Sequence, residues 1–433
     1  MTLGDYPYSL AITSQFYYCG LPLRLDSYSR CLYGCLYCFA NARGGNRGSP
    51  RLAAASASSM RCRMERLTSE HPRSAIDELL AKRQPIHLGG MSDPFPPGEA
   101  KLGVSRALLD VLADYEYPTV ISTKSNLFER DDYLRVLKRG RFIVQVSMSS
   151  TDDSLLSRTD VRTPGPSALL RALATLATEG IPTACRIQPL LPGHEGEAFG
   201  VIDACASVGV RHVAVEHLKL PIEKTWSGTE PLSWILGINL QDYFSSRRAY
   251  RIGREWILPI GDRLERILGL RDHAHSRGLT FGAADNDLLL LSDGDCCCSG
   301  IDLVPGFENF FRFNYTEAAR RGIAGGLIAI GRLAETWCPE KSIDRYVNSR
   351  SRLQGSSQTG HGIREYVRRN WNGSPNGNFP GALHGVVDSG EWDEEGFRLY
   401  RFTDEVRALL ARRRREQTNE QRVPAATQLS GSH

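Results

Sequence analysis

No stretch of this 433-residue chain approaches the roughly 20 apolar residues that a membrane-spanning helix needs, and the N-terminus lacks a basic patch followed by a sustained apolar run. Neither a membrane protein nor an exported one is expected. Charge of one sign is also lacking: 53 basic residues against 49 acidic leave a formal net charge of +4, which neither demands nor forbids a polyanionic partner. Nor are the cysteines spread in pairs. Six of the eleven are bunched at 31–38 and 296–298, which points to metal or redox chemistry in a reducing compartment, the cytoplasm, over a disulfide framework. At 41% hydrophobic, the chain is long enough for a large core, which excludes a small metal-stapled module and suits one barrel plus an appendage.

What is present is a run of three cysteines, RCLYGCLYCF at 30–39. Three thiolates on one short loop can hold three irons of a cubane cluster and leave the fourth iron open to chelate a small molecule through amino and carboxylate groups. A zinc knuckle would need a second cysteine pair or histidines at a distance, and no second pair follows Cys38.

Residues 41–59 are rich in Gly, Ala, Arg and Ser without an apolar period and read as an irregular excursion, or a lid. From residue 71 helical patterns alternate with short apolar runs, the mark of strand-helix units around a parallel sheet. The spacing predicts strands near 22–28, 86–90, 118–123, 142–148, 182–188 and 211–217, with helices at 74–82, 105–114, 131–139, 167–179 and 198–208. Gly180 sits at a helix C-terminus. Six units make a partial barrel, which a helix at 262–277 and an apolar stretch at 279–283 extend. In such barrels chemistry gathers at the C-terminal strand ends. The expected divisions are a barrel over 1–290, a mixed C-terminal extension over 291–411 and a polar tail over 412–433.

The Cys-x3-Cys-x2-Cys spacing, with an aromatic before the last cysteine, resembles the radical S-adenosylmethionine (SAM) superfamily. Residues 24 to about 220 resemble its spore photoproduct lyase-like branch, through YGCLYC at 33–38, MSD at 91–93, STK at 122–124, VS at 146–147 and TPGPS at 163–167. The resemblance implies an α/β fold built on a partial (β/α)6 TIM-like barrel and a [4Fe-4S] cluster on Cys31, Cys35 and Cys38. It further implies SAM bound at the open iron and cleaved by one electron to a 5'-deoxyadenosyl radical, with an external donor such as flavodoxin or ferredoxin. Tyr37 is then expected beside the adenine, and Lys124 and Ser147 in the SAM pocket.

Other strand ends add candidates. Gly89 and Gly90 let backbone approach a ligand, and Asp93 offers acceptors to the SAM ammonium. Lys124 ends an apolar strand, where a cation meets the SAM carboxylate or snorkels to solvent. Ser147 or Ser149 suits a ribose hydroxyl, and Arg186 needs a carboxylate or an internal partner; with Gly89, Gly90, Asp93, Lys124 and Ser147 it is expected to cradle SAM. Glu216 and His217 are substrate ligands or structural groups. There is one departure from the branch: where its repair lyases carry a hydrogen-donating cysteine, Gly90 precedes Met-Ser-Asp.

A second cysteine run, DCCCSG at 295–300, has three expectations attached. In extended backbone Cys296 and Cys298 share a face and Cys297 opposes them, so two of these with Cys338 could bind an auxiliary metal cluster. Alternatively Cys297 or Cys298 is a catalytic thiol giving hydrogen or sulfur to a substrate radical, or all three are packed small hydrophobes. Residues 364–371 mix cations and aromatics as a nucleic-acid contact would, and as an ordinary amphipathic helix does. The expectation is a SAM-cleaving enzyme acting on a small polar molecule or biosynthetic intermediate, its subclass open between lyase, oxidoreductase and transferase. Nucleic-acid lesion repair or modification and a non-catalytic iron-sulfur redox sensor are the alternatives.

Overall fold

The computed structural model describes residues 3–13, 19–42, 52–69, 72–222, 228–295, 297–307, 314–331, 363–373 and 379–411. Its centre is an eight-stranded sheet in which β1 (Leu10–Ile12) pairs antiparallel with β2 (Leu23–Leu25). Six further strands follow in parallel and in chain order: β3 (Ile86–Leu88), β4 (Thr119–Thr123), β5 (Phe142–Ser147), β6 (Thr183–Leu190), β7 (His212–His217) and β8 (Thr280–Ala283). Among the described residues β8 and β1 stay unpaired with each other, so the curled sheet is an open, partial barrel.

Every parallel crossover runs through helix, as parallel strands require. α1 (Ala57–Ser69) and α2 (Ala75–Ala81) precede β3, α3 (Val104–Asp114) precedes β4, and α4 (Asp131–Arg139) precedes β5. α5 (Asp153–Thr159) and α6 (Pro166–Thr178) precede β6, α7 (Glu197–Ser207) precedes β7, and α8 (Leu264–Ser276) precedes β8. Local chemistry sets the ends. Ser74 caps α2 by accepting from Asp77 N, Asp152 caps α5 by accepting from Ser154 N and Leu155 N, and Pro166 opens α6. Gly180 follows α6 at φ 71°, the left-handed conformation a glycine adopts freely.

Several elements depart from the sequence-based expectation, among them helices at Thr229–Leu236 and Leu240–Ser246 and a small antiparallel sheet of Leu220–Pro221, Glu255–Ile257 and Tyr250–Ile252. The tract expected to be irregular through residue 59 turns helical at Ala57, because Ser56 caps α1 through Ser59 N at 3.1 Å and Met60 and Met64 form its buried stripe. β1 lies where no strand was expected; its three residues are too few to show a period. Residues 43–51 lie outside the described residues.

Alternate residues on the parallel strands face the helices or the bore of the barrel. Val144, Val146, Cys185, Val213, Val215 and Phe281 fill the helix side and are all fully buried. Segment 289–293 runs along the free edge of β8, with Asp293 N donating to the Phe281 carbonyl at 2.8 Å and Ser292 Oγ accepting from Ala283 N at 3.0 Å. The turn at 297–300 then enters the bore at the N-terminal ends of β7 and β8. His212 Nε2 lies 2.9 Å from the Cys298 carbonyl, and a Cβ at Gly282 would overlap that same oxygen.

The extension adds α9 (Tyr315–Gly325), α10 (Ile363–Trp371) and an antiparallel sheet of Leu327–Ile328, Arg398–Phe402 and Val386–Trp392. Its core is continuous with that of the barrel. Trp371 is fully buried, edge-on to Tyr315 at 5.1 Å and to Tyr400 at 5.8 Å, and donates to the Arg398 carbonyl. Trp371 therefore has no face to offer a base. No helix among the described residues is long and apolar enough to cross a membrane.

Candidate active site

The cysteine loop leaves the C-terminal end of β2 and is pinned on two sides. Gly34 N and Leu36 N donate to the carbonyls of Val161 and Thr159 at 3.2 and 3.0 Å, and the Tyr33 hydroxyl donates to the Phe95 carbonyl at 3.0 Å. Cys31, Cys35 and Cys38 are all outside any disulfide and half-buried. Burial, reinforced by the Asp93 carboxylate, pushes the Cys31 thiol up to about 12. Burial and Asp160 push Cys35 well up, against the pull of Lys124, and Cys38 adds to the rise of both Cys31 and Cys35. In the free chain Cys31 and Cys35 are protonated, and a cationic iron centre is what would convert them to thiolates.

This donor set fits a cubane. Three thiols on one short loop can each meet a different iron and leave the fourth open.

Tyr37, two residues after Cys35, is the loop's anchor. Its hydroxyl donates to Asp160 Oδ1 and accepts from Lys124 Nζ at 2.9 Å, and the Lys124 ammonium also lies over its ring, 5.3 Å from the centroid. Lys124 Nζ reaches Asp160 Oδ1 at 2.7 Å. Burial opposes the lysine's charge, but Asp160, Tyr37 and Cys35 outweigh it and hold Lys124 well above its ordinary range. The anion that Lys124 required is thus supplied within the chain by Asp160, a residue that closes α5 and carries no motif around it.

At the end of β3, Gly89 has φ 96° and a Cβ there would overlap the Ser122 carbonyl; a Cβ on Gly90 would come within 2.7 Å of Arg24 Cγ. Asp93 is engaged by both oxygens: Oδ1 accepts from Phe95 N at 2.9 Å and Thr123 Oγ1 at 2.7 Å, and Oδ2 from Lys124 N at 2.6 Å. Burial still raises its acid range. The neighbouring Asp26, also raised by burial, pairs with Arg24 at 2.9 Å and accepts from Met91 N and Ser92 N. These carboxylates tie strand ends to the mouth loops.

Inside the bore, His87 Nε2 lies 2.7 Å from Ser122 Oγ, which donates to Gln145 Oε1 at 3.1 Å. Enclosure, then the Arg186 and Arg24 guanidiniums, depress His87 to about 3. Ser147, the last residue of β5, is the register partner of Arg186. Arg186 donates to Glu216 Oε2 at 3.2 Å, and Gln188 and Lys219 also donate to that carboxylate. His217 turns to Asp285, Nδ1 to Oδ2 at 2.7 Å. Buried Asp285 is nonetheless held down at about 2, because His217, Arg263 and Lys219 outweigh its burial.

Of the second cysteine run, Cys297 is buried with Sγ 2.8 Å from Ser299 Oγ. Cys298 is half-buried, within electrostatic reach of Arg186, Glu216 and Cys19, and a hydrogen bond from Cys297, then Arg186, lowers its thiol despite burial. Cys296 and Cys338 lie outside the described residues. Sequence reasoning missed Asp160, Cys19, His87 and Gln145. The last three share a legible signal, a polar or thiol side chain in or beside an apolar strand, and Asp160 had none.

Residues 26–203 match the Radical SAM superfamily. Over 137 residues the chain is 26% identical to uncharacterized proteins of Mycobacterium tuberculosis and Mycobacterium bovis, covering 30% of this chain and 40% of each relative, so it spans about two-fifths of their length. Among solved structures it is similar to spore photoproduct lyase complexed with dinucleoside spore photoproduct, at 15% identity and TM-score 0.41, over 59% of this chain and 73% of that one. It is also similar to SuiB of Streptococcus suis bound to S-adenosylmethionine, at 14% identity and TM-score 0.36, over 53% and 49%.

Proposed function

We propose, on the match of residues 26–203 to the radical SAM superfamily, that this chain is an enzyme that binds a [4Fe-4S] cluster through Cys31, Cys35 and Cys38 and acts on a small polar substrate inside its barrel. The observation that carries the reading is the trio of cysteines, none in a disulfide, on the loop leaving β2, fastened above the mouth by Tyr37, Lys124 and Asp160. When bound, the cluster supplies the electron that cleaves SAM to a 5'-deoxyadenosyl radical.

The chain's own residues position what that radical meets. Gly89 and Gly90 present bare backbone at the end of β3, where a side chain on Gly89 would strike the Ser122 carbonyl and one on Gly90 would displace the Arg24 stem. The Ser147 hydroxyl faces the bore beside Arg186 and suits a ribose. Asp93 orders this rim through three donors. Of the two thiols considered as hydrogen donors, we assign the role to Cys298, which borders the bore, over Cys297, which is buried against Ser299. A one-electron donor such as flavodoxin or ferredoxin completes the system.

Anaerobic reconstitution with iron and sulfide, followed by SAM and dithionite, tests the reading. We expect 5'-deoxyadenosine from the wild type and none from Cys35→Ala. Deuterium passing from a labelled candidate into 5'-deoxyadenosine then identifies both the substrate and the carbon attacked. A reconstituted protein that forms no 5'-deoxyadenosine overturns the reading.

A further inference from the structure

Along strands that are otherwise buried, five residues are half-buried: His87 on β3, Ser122 on β4, Ser147 on β5, and Arg186 and Gln188 on β6. All five stand on the face away from the helices. A side chain in the middle of a sheet that points off the helix layer and still keeps accessible surface borders open space, so the bore is hollow. Its lower end is stopped by the turn at 297–300, whose Cys298 carbonyl seats against His212 and Gly282.

The lining is polar and short of acceptors. Arg24 has Asp26 to itself, whereas Arg186 and Lys219 share the single carboxylate of Glu216. Two buried donors on adjacent strands have no hydrogen-bond partner among the described residues, Arg186 Nε and the amide nitrogen of Gln145. Gln145 is fully buried, and its oxygen is already taken by Ser122. With Gln145 opposite Ala184 and Ser147 opposite Arg186, the two donors sit diagonally on one face, a spacing that long side chains span. Leaving buried donors unmade costs free energy that a ligand recovers.

We propose that this bore is the substrate chamber and that it seats its substrate by a carboxylate received between Arg186 Nε and the Gln145 amide, beside the Cys298 thiol. Two N–H groups from two planar side chains match the two oxygens of a planar carboxylate, and the narrow bore admits a compact molecule. Naming the ligand a substrate rests on the radical SAM reading; the anion site itself rests on the lining alone. The SAM carboxylate is the other source of the same chemistry, and the experiment separates the two.

The probe is iodoacetate, a small carboxylate that alkylates thiols, compared with neutral iodoacetamide on the full-length, anaerobically reconstituted protein. Labelling at Cys298 and at exposed Cys62 on α1 is followed by peptide mass spectrometry. If Arg186 receives the carboxylate through Nε, the iodoacetate-to-iodoacetamide rate ratio at Cys298 should fall about fivefold in Arg186→Gln and stay low in Arg186→Lys, which keeps a charge but lacks the planar N–H, with the ratio at Cys62 unchanged. Saturating SAM should leave the wild-type preference in place. If SAM abolishes it, Arg186 serves the cofactor and the proposal is wrong; it is equally wrong if neither reagent reaches Cys298 or if Arg186→Gln changes nothing. None of these outcomes depends on SAM cleavage, so a failure of the enzyme assay and a failure of this site are told apart.

Discussion

Lys124 and Asp160 meet at 2.7 Å, Nζ to Oδ1, with side-chain exposures of 15% and 1%. The pair joins the end of β4 to the end of α5, and Tyr37 of the cysteine loop is bonded to both partners. Three chain segments far apart in sequence are therefore set by one buried ion pair.

Asp160→Asn removes the anion and leaves the ammonium enclosed, which should cost about 3 kcal/mol of stability. Adding Lys124→Met to that variant should recover part of the loss, since no charge is then stranded. Urea unfolding of the two single variants and the double variant measures the coupling; strictly additive losses would show that the pair is not a unit.

Gly89 and Gly90 are adjacent yet should respond differently. At Gly89 a side chain meets backbone, the Ser122 carbonyl, in a left-handed conformation, so Gly89→Ala should cost about 3 kcal/mol. At Gly90 the obstruction is the flexible stem of Arg24, and Gly90→Ala should cost about 1 kcal/mol. Equal shifts in the urea midpoint would refute this ordering.

Each of Cys31→Ala, Cys35→Ala and Cys38→Ala should lower bound iron after reconstitution from about four per chain to below about one. Iron and sulfide assays together with EPR of the reduced protein check it. A variant that keeps its iron would remove that cysteine from the ligand set.

His87 gives a pH signature. Its folded value is depressed to about 3 from an ordinary 6.5, so between those limits the unfolded chain holds a proton that the fold refuses. Stability is then complete above about pH 6.5 and declines as pH falls toward 3, by at most about 1.4 kcal/mol per pH unit from this group. His87→Gln should flatten that part of the urea-derived stability curve. A slope identical to the wild type between pH 6 and 4 would show that His87 is not the group responsible.

The barrel was legible because apolar runs and helical periods alternate so regularly: the expected runs at 118–123, 142–148 and 211–217 became Thr119–Thr123, Phe142–Ser147 and His212–His217. Elements with little pattern escaped. α1 shows only Met60 and Met64 as a buried stripe, and Leu10–Ile12 is held by pairing with β2 instead of by its own period. Within the site, spacing exposed the cysteine loop, and the strand-end rule led to Lys124, Ser147 and Arg186. Their partners were hidden, because an ion pair such as Lys124–Asp160 depends on where two distant segments finish, and neither segment records the other. The position of Cys298 inside the bore was hidden for the same reason, being set by contacts to His212 and Gly282.

The piece of chain that stops up the base of the barrel comes from beyond its last strand. A fragment trimmed at Ala283 would be a tube with both ends uncorked, and solvent would wash through it past Arg186 and His87. The catalytic half of this protein is thus not something that can be cut free at the edge of its sheet; whoever shortens it must carry the plug along.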